Sequence, residues 1–439
     1  MENIEKRKLN KYILLDAQKA FLEVPHDYSL DVAVYQGGYG SGKTFAGSLL
    51  GIILALLYPK IKGLVGAQTF PLVRDTTLAT YFEHLENMGF KEKIHYEYHK
   101  LDNIIAFQNG SKILFRHLED PDKLKSLNLG FVQIEEMSDI PEATFQMLLG
   151  RLRQKKFGAW KNFRYRLFGH TNPEQSKGWI YKNFVEDKKP NYRLIIAPTT
   201  QNKYLPPHFV DELKKAYDEE YFKINVLGQF GDYSSGLVVK DFSDENIQVL
   251  EYQNDIVLHL SCDFNVDPMC WVLAHIDDDC VYFFDELVIE NTSTQKACEG
   301  FLHRYPNHKT QIVINGDASG DYRNSAAEMT NYAIIKKNLE AYGYNIKFDV
   351  RSFNPSIKSR IAAFNAKIKN ANGERCVFID KKCKYLLYNI NNLRYKTGTT
   401  LIDLPSHEQI KSDRAAKFLM HPFDAASYLV EFYWAIAKK

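Results

Sequence analysis

Long apolar runs are missing from this chain of 439 residues. The longest, residues 49–58, is far shorter than the roughly 20 residues a bilayer-spanning helix needs, so no membrane association is expected. The stretch Met1-Glu2-Asn3-Ile4-Glu5-Lys6-Arg7-Lys8 has no apolar core, so no secretion signal is expected there. A surplus of charge is missing as well: 56 Lys and Arg against 54 Asp and Glu leave +2. That excludes a strongly basic nucleic-acid binder and makes any polyanion surface a local one. Cysteine is scarce. The six present (262, 270, 280, 298, 376 and 383) form no C-x-x-C pair and no zinc spacing. They read as reduced thiols of a cytosolic protein, most of them core filler. Repeats and low-complexity tracts are absent. What remains is 45% hydrophobic and 25% charged, an ordinary globular composition, with length for two to three domains that each bury a core.

The chain is organised around Gly37-Gly38-Tyr39-Gly40-Ser41-Gly42-Lys43-Thr44, which fits G-x-x-x-x-G-K-[ST], the phosphate-binding loop of nucleotide hydrolases. Gly37, Gly38, Gly40 and Gly42 let successive backbone N–H groups turn inward around an anion, with Ser41 between the last two. Lys43 can reach the β- and γ-phosphates and Thr44 can ligate Mg²⁺. A buried strand at 31–35 and an apolar helix at 45–57 flank the loop, as phosphate binding at a helix N-terminus requires. Ahead of it, Gln18 is a candidate for reading an adenine edge, with Tyr12 or Phe21 packed on the ring; a surface glutamine on an amphipathic helix fits equally well.

Further candidates follow in order. Strands at 103–107 and 112–116 flank an Asn109-Gly110 hairpin turn. An apolar strand at 131–134 ends in Glu135 and Glu136: the first suits a carboxylate near Mg²⁺, the second a base for water. Another strand runs into Thr171-Asn172-Pro173, at the strand end where α/β sheets place ligands, so Thr171 and Asn172 could sense the γ-phosphate. Alternating strands and helices predict an α/β domain with a largely parallel sheet over 1–227. Turn residues at 228–236 read as a linker. From 237 to 439 the pattern restarts with strands at 255–262, 269–276 and 280–289, a fourth at 311–315, and a final helix from 422. Acids fall at the ends of these elements: Asp263, Asp317 and Asp424, with His421 beside the last and Glu286 and Asp321 as weaker candidates. This is the layout of a ribonuclease H-like fold, in which separated carboxylates converge on one or two hard divalent metals. Each acid alone could be a turn or cap residue.

These motifs together resemble the large terminase subunit of tailed bacteriophages. The resemblance rests on residues 37–44, Ile134-Glu135-Glu136, Thr171-Asn172-Pro173, Asp263, Asp317 and His421-Pro422-Phe423-Asp424. The last motif and Asn354-Pro355-Ser356-Ile357-Lys358-Ser359-Arg360 are similar to the headful-packaging branch. It implies a P-loop ATPase domain of RecA/ASCE-like type, then a ribonuclease H-like nuclease. It implies ATP with Mg²⁺ at the first site and Mg²⁺ or Mn²⁺ at the second. The implied partners are double-stranded DNA, a portal protein and a small terminase subunit. The implied assembly is a homo-oligomeric ring, usually a pentamer, docked transiently on the procapsid in the host cytoplasm and absent from the virion. Two departures stand out. Tyr39 occupies a loop position that is basic in many relatives, so an arginine elsewhere would complete the site: Arg74, Arg116, Arg151 or Arg153. Glu135 replaces the more general aspartate. Basic clusters at 151–156 and 381–384 are candidates for DNA phosphate contact. Competing expectations are a helicase-like or repair ATPase with a structural second domain, and an assembly protein whose ATPase only drives ordering.

Overall fold

The structure is a computed structural model that describes residues 13–436, apart from 161–162, 175–177, 232–235, 323–328, 397–398 and 413. Tyr12 and part of the expected linker therefore lie outside the described residues. The chain divides into two compact units, Met1–Val210 with Lys223–Asp232, and Asp211–Phe222 with Tyr233–Lys439. The change of unit at 232/233 falls inside the 228–236 stretch, and the second unit also takes Asp211–Phe222, which a cut at 227 would leave in the first.

The first unit is built on an eight-stranded sheet in the order β3-β4-β5-β2-β6-β7-β1-β8. Its strands are β1 Val32–Gly37, β2 Lys62–Ala67, β3 Tyr96–His99, β4 Ile104–Phe107, β5 Lys112–His117, β6 Phe131–Glu135, β7 Arg166–Thr171 and β8 Tyr192–Ala197. From β5 to β8 every neighbour is parallel. Residues of β1, β6 and β7 are buried along their whole length, which is why their apolar residues do not alternate with exposed polar ones. β3, β4 and β5 are antiparallel, and Gly110 supplies the positive φ (84°) of the expected hairpin turn. Strand β3, whose residues alternate between half-buried and exposed, carries no apolar signal and was not expected from the sequence. The helices α1 Asp16–Leu22, α2 Lys43–Leu57, α3 Ala79–Asn87 and α4 Glu142–Leu149 complete the part that matters for the site. Because β1, β2, β6 and β7 run in one direction, the segments that follow them all emerge at one edge of the sheet.

The second unit has a six-stranded sheet in the order β13-β12-β9-β10-β11-β14. Its strands are β9 Leu258–Asp263, β10 Met269–Asp277, β11 Cys280–Ile289, β12 Gln311–Gly316, β13 Asn345–Phe348 and β14 Val377–Ile379. β9, β10 and β11 form an antiparallel meander, β12 returns parallel to β9, and β13 is parallel to β12. This is the ribonuclease H-like sheet the acids implied, with β14 added beside β11. The helices are α5 Thr294–Arg304, α6 Asn331–Ala341, α7 Ile357–Ile368, α8 Lys384–Asn392 and α9 His421–Trp434. Helix α9 packs against β9 and β10, so its N-terminus lies at the sheet centre.

One reading of the sequence is corrected here. Cys280 and Cys376 are not separate thiols: the structure joins them, with Cα atoms 4.2 Å apart. Parallel pairing of Val281 with Val377 sets the preceding residues side by side, a neighbourhood that 96 residues of separation hide from any spacing rule. The other four cysteines are buried and free.

Close packing in the first sheet leaves no room for a side chain at Gly63. Gly63 pairs with Phe131, and a Cβ on it would sit 2.1 Å from Cζ of that ring. Gly63→Ala is expected to cost about 1–3 kcal/mol through overpacking, read as a lowered urea midpoint. An unchanged midpoint would mean that the buried ring has room to move.

Candidate functional site

The first site gathers at the carboxyl edge of the parallel sheet. β1 ends at Gly37, and the chain turns through Gly40 and Gly42 at φ of 73° and 77° before α2 begins. A Cβ on Gly38 would meet the backbone oxygen of Asn225 at 2.3 Å, so the loop is packed on the protein behind it. Gly42 at the N-terminus of α2 offers no side chain to cap it, and among the described residues no side-chain cap is made there. Thr199 donates to the Tyr39 carbonyl at 2.7 Å and Asn202 to that of Gly40 at 2.6 Å. Ser41 is buried in the turn, and Tyr35 donates to its carbonyl at 3.0 Å.

Gln18 is buried rather than on the surface. Its Oε1 accepts from the Leu15 amide at 3.0 Å and its Nε2 donates to the Gly42 carbonyl at 3.2 Å, so it braces the phosphate loop. Phe21 lies in the core against Tyr35 and Phe168 and presents no face to a ligand. The expectation that Phe21 packs on a nucleotide ring is therefore corrected: the apolar face of α1 is turned to the sheet. A cavity of about 600 Å³ opens instead beside Ile13, Leu15, Asp16, Lys19, Gln201 and Lys203.

At the loop's other side, Lys43 Nζ donates to Asn172 Oδ1 at 2.8 Å and lies 3.8 Å from Glu136 Oε1. Thr44 Oγ1 stands 3.3 Å from Glu135 Oε1. Lys43, Thr44, Glu135, Glu136 and Asn172 thus come together. Thr171 works one step back: its hydroxyl contacts the Ser138 hydroxyl and the Asn172 carbonyl, each at 2.8 Å, and accepts from the Ser138 amide. Glu136 adopts a left-handed backbone (φ 44°), rare for a residue with a side chain, and its carboxylate accepts from the Asn172 amide at 3.0 Å. Burial raises the Glu136 carboxyl above its ordinary range, although Lys43 and that amide pull the other way. Burial pushes Glu135 up too, but His170, Thr77 and Lys43 outweigh it and hold the carboxyl below the usual range. Thr77 and His170 carry no motif, and nothing in their spacing could have found them.

The arginine candidates separate. Arg116 donates to the carbonyls of Asp102 and Phe115 at 2.6 and 2.7 Å, Arg151 to that of Lys125, and Arg153 to Asn128 at 2.8 Å. Arg74 is exposed and paired with its neighbour Asp75, three residues before the Thr77 that donates to Glu135 at 2.5 Å.

The second unit collects its acids where β9, β12 and α9 meet. Asp263 ends β9; its Oδ2 accepts from Asn265 at 2.8 Å and lies 3.0 Å from Nδ1 of His421. Burial lowers the His421 ring, but the bond and charge of Asp263, with Asp424, leave it raised overall. Asp317 follows β12, its amide bonded to the Cys262 carbonyl at 3.0 Å. Its Oδ1 accepts from Asn354 and from the Ser319 amide, each at 2.7 Å. Asp424 in the first turn of α9 is pushed up to about 6 by burial, with Asp263 adding to the rise and Arg360 opposing it. The Arg360 guanidinium pairs with Asp424, donates to Ser427 at 2.8 Å and stacks 4.2 Å over Tyr428. The Asn354–Arg360 motif therefore holds two of the three aspartates, one from each end.

The two weaker candidates stand apart. Glu286 accepts from the amides of Tyr385 and Leu386 at 2.7 and 3.0 Å. It serves the N-terminus of α8, and burial pushes it up to about 7. Asp321 is exposed, with Thr330 at 3.5 Å. Among the described residues no three His, Cys, Asp or Glu side chains stand close enough together to hold a metal ion as they are placed.

Comparison with known proteins gives the frame for both sites. The family model of the phage terminase large subunit matches residues 30–229. The PBSX phage terminase large subunit of Bacillus subtilis (strain 168) is 31% identical over 217 residues, 44% of this chain and 48% of that protein. The match thus spans about half the length of this curated relative. The large terminase of a thermophilic bacteriophage has a similar fold, with a TM-score of 0.59 at 14% identity, over 96% of this chain and 99% of that one. The same protein in complex with ATP-gamma-S aligns with a TM-score of 0.56 at 14% identity, over 95% and 98%. Residues 30–229 thus carry a likeness to the phage terminase large subunit, and both units share the fold of a phage large terminase.

Proposed function

We propose that this chain is the motor of viral DNA packaging: an ATPase that drives double-stranded DNA into a procapsid, with a metal-dependent nuclease that cuts it. The observation that carries the ATPase reading is the meeting of Lys43, Thr44, Glu135, Glu136 and Asn172 at one sheet edge. The loop amides and Lys43 would take the phosphates, and the cavity at Ile13–Lys203 suits the nucleoside end. Mg²⁺ would supply charge neutralisation beside the phosphates, and Thr44 and Glu135 would hold it, directly or through water. Glu136 would orient and deprotonate the attacking water; its raised carboxyl and the Asn172 amide keep a base ready at this position. Asn172 touches both Lys43 and Glu136, so displacement of Lys43 toward phosphate would be felt at Glu136, a route for coupling through Thr171 and Asn172. Arg74 is the favoured arginine for completing the charge, supplied within the subunit or to a neighbour in a ring. Portal, small subunit, ring and procapsid docking come from the family alone.

The nuclease reading rests on Asp263, Asp317 and Asp424 at adjoining element ends. Their all-carboxylate donor set fits a hard divalent cation. Asn354, Arg360 and Asn265 now engage these oxygens, and would have to yield some of them to it. Backbone charge rather than base edges would hold the DNA, since a motor must move any sequence.

Lys43→Ala is expected to abolish ATP turnover with little loss of fold, whereas Glu136→Gln keeps ATP bound and blocks hydrolysis. Full turnover in both would remove the ATPase. Asp263→Ala, Asp317→Ala or Asp424→Ala is expected to abolish DNA cleavage in Mg²⁺ or Mn²⁺ while ATP hydrolysis persists. Folded mutants that still cut would remove the nuclease. Glu286→Gln loses one of two helix-terminal acceptors and is expected to cost about 0.5–2 kcal/mol of stability, seen in denaturant titration, with cleavage retained. A stable Glu286→Gln that cannot cleave would return this residue to the metal site.

A further inference from the structure

Beneath the phosphate loop the first unit buries a file of polar side chains that leads to Glu135. Tyr81 on α3 is fully buried and donates to Gln133 Oε1 at 2.6 Å. Gln133 on β6 sets its Nε2 3.2 Å from Nε2 of His170 on β7, and both residues are fully buried. His170 Nδ1 lies 3.0 Å from Oε1 of Glu135, approached too obliquely for a hydrogen bond as placed, and among the described residues it has no hydrogen-bond partner. The other oxygen of Glu135 receives the Thr77 hydroxyl at 2.5 Å.

The file has a direction. An amide nitrogen only donates, so Gln133 Nε2 must meet a lone pair on His170 Nε2. The ring proton then sits on Nδ1, facing the carboxylate. Donation runs from Tyr81 to Gln133 to His170, which leaves the Nδ1–H 3.0 Å from Glu135 Oε1 and in need of an acceptor. Helix α2, whose first two residues are Lys43 and Thr44, leaves room for it. A Cβ on Gly47 would sit 2.4 Å from His170 Cδ2, and one on Gly51 would sit 1.8 Å from the Tyr81 oxygen. Two glycines four residues apart share one helix face. Each weakens a helix interior relative to alanine, and here they clear the space that the tyrosine and imidazole occupy.

We propose that His170 is a positioning residue for the ATPase site: backed by Gln133 and Tyr81, its Nδ1–H fixes Glu135 so that Oε1 stays beside Thr44. This rests on the ATPase reading above. His170 touches neither nucleotide nor metal; it acts through the carboxylate that would hold the cation, as outer partners of metal ligands do. Thr77 fixes the second oxygen, so the carboxylate plane is set from both sides.

The test uses the full chain. His170→Asn keeps an N–H near the Nδ1 position, and His170→Leu removes it at similar volume. In histidine-labelled wild-type protein without nucleotide or metal, ¹⁵N NMR should give the Nδ1-protonated tautomer for a resonance that both variants lack. His170→Leu should lower kcat about tenfold or more and raise the half-saturating Mg²⁺ about tenfold, with KM for ATP little changed. His170→Asn should recover most of both. Gly47→Ala should shift the same ring resonance. An Nε2-protonated ring, or a folded His170→Leu with wild-type kcat and Mg²⁺ dependence, overturns the proposal. A wild-type chain without ATP turnover overturns the ATPase reading together with it, whereas an active wild type with an indifferent His170→Leu overturns this proposal alone.

Discussion

A carboxylate as deeply buried as Glu135, only 2% exposed, survives in ionised form only if donors surround it. The first unit satisfies that demand with side chains from three different elements. Lys43 and Thr44 come from the start of α2, Thr77 from the π-helical turn that leads into α3, and His170 from the end of β7. None of these could reach the acid if the strands between them did not run in one direction, because only then do the residues following each strand emerge at the same edge. The parallel sheet is thus the scaffold for one electrostatic requirement. The glycines at 47 and 51 belong to the same requirement, since side chains there would occupy the space that Tyr81 and His170 need.

The second unit handles buried charge with the same chemistry and a different layout. Asp263 is met by the amide of Asn265 two residues on, and Asp317 and Asp424 by an amide and a guanidinium from the Asn354–Arg360 segment. Asn354 and Arg360 lie at the two ends of one short motif, with the first turn of α7 between them. That motif ties an aspartate after β12 to one in α9, and Tyr428 supplies the flat face on which the Arg360 guanidinium rests. Like charges set near one another raise Asp424 further beyond what burial alone does, a state that a cation relieves. Glu286 shows the opposite use of a carboxylate. Its two oxygens close the open N-terminus of α8, an ordinary structural need.

Much of this is legible in the sequence alone. β1, β6, β7, β9, β10, β11 and β12 were visible as apolar runs of strand length, and the acids at their ends were visible as breaks in those runs. The phosphate loop was legible because its glycines answer to local backbone geometry, which is encoded within eight residues. Strands β3, β13 and β14 were not: they are short, and β3 and β13 are largely exposed, so burial left little apolar pattern on them. Gln18 was ambiguous between ligand and surface; the structure buries it, since what decides its place is the Gly42 carbonyl opposite it. Phe21 misled because an aromatic near a nucleotide loop looks the same in sequence whether it faces the ligand or the core. The Cys280–Cys376 pair misled because register between β11 and β14 is a property of the sheet.

The sequence by itself determined the α/β plan, the glycine turn at residues 37–44 and the place of Glu135, Glu136, Asp263, Asp317 and Asp424 at element ends, because each depends on contacts within a strand, a turn or a helix. Tertiary structure alone decided which groups face those acids: Thr77 and His170 at Glu135, Asn354 at Asp317, Arg360 at Asp424. The physical reason is that a buried charge is stabilised by whichever donors the fold brings within about 3 Å. Those donors come from residues far apart in the chain, with no spacing in common.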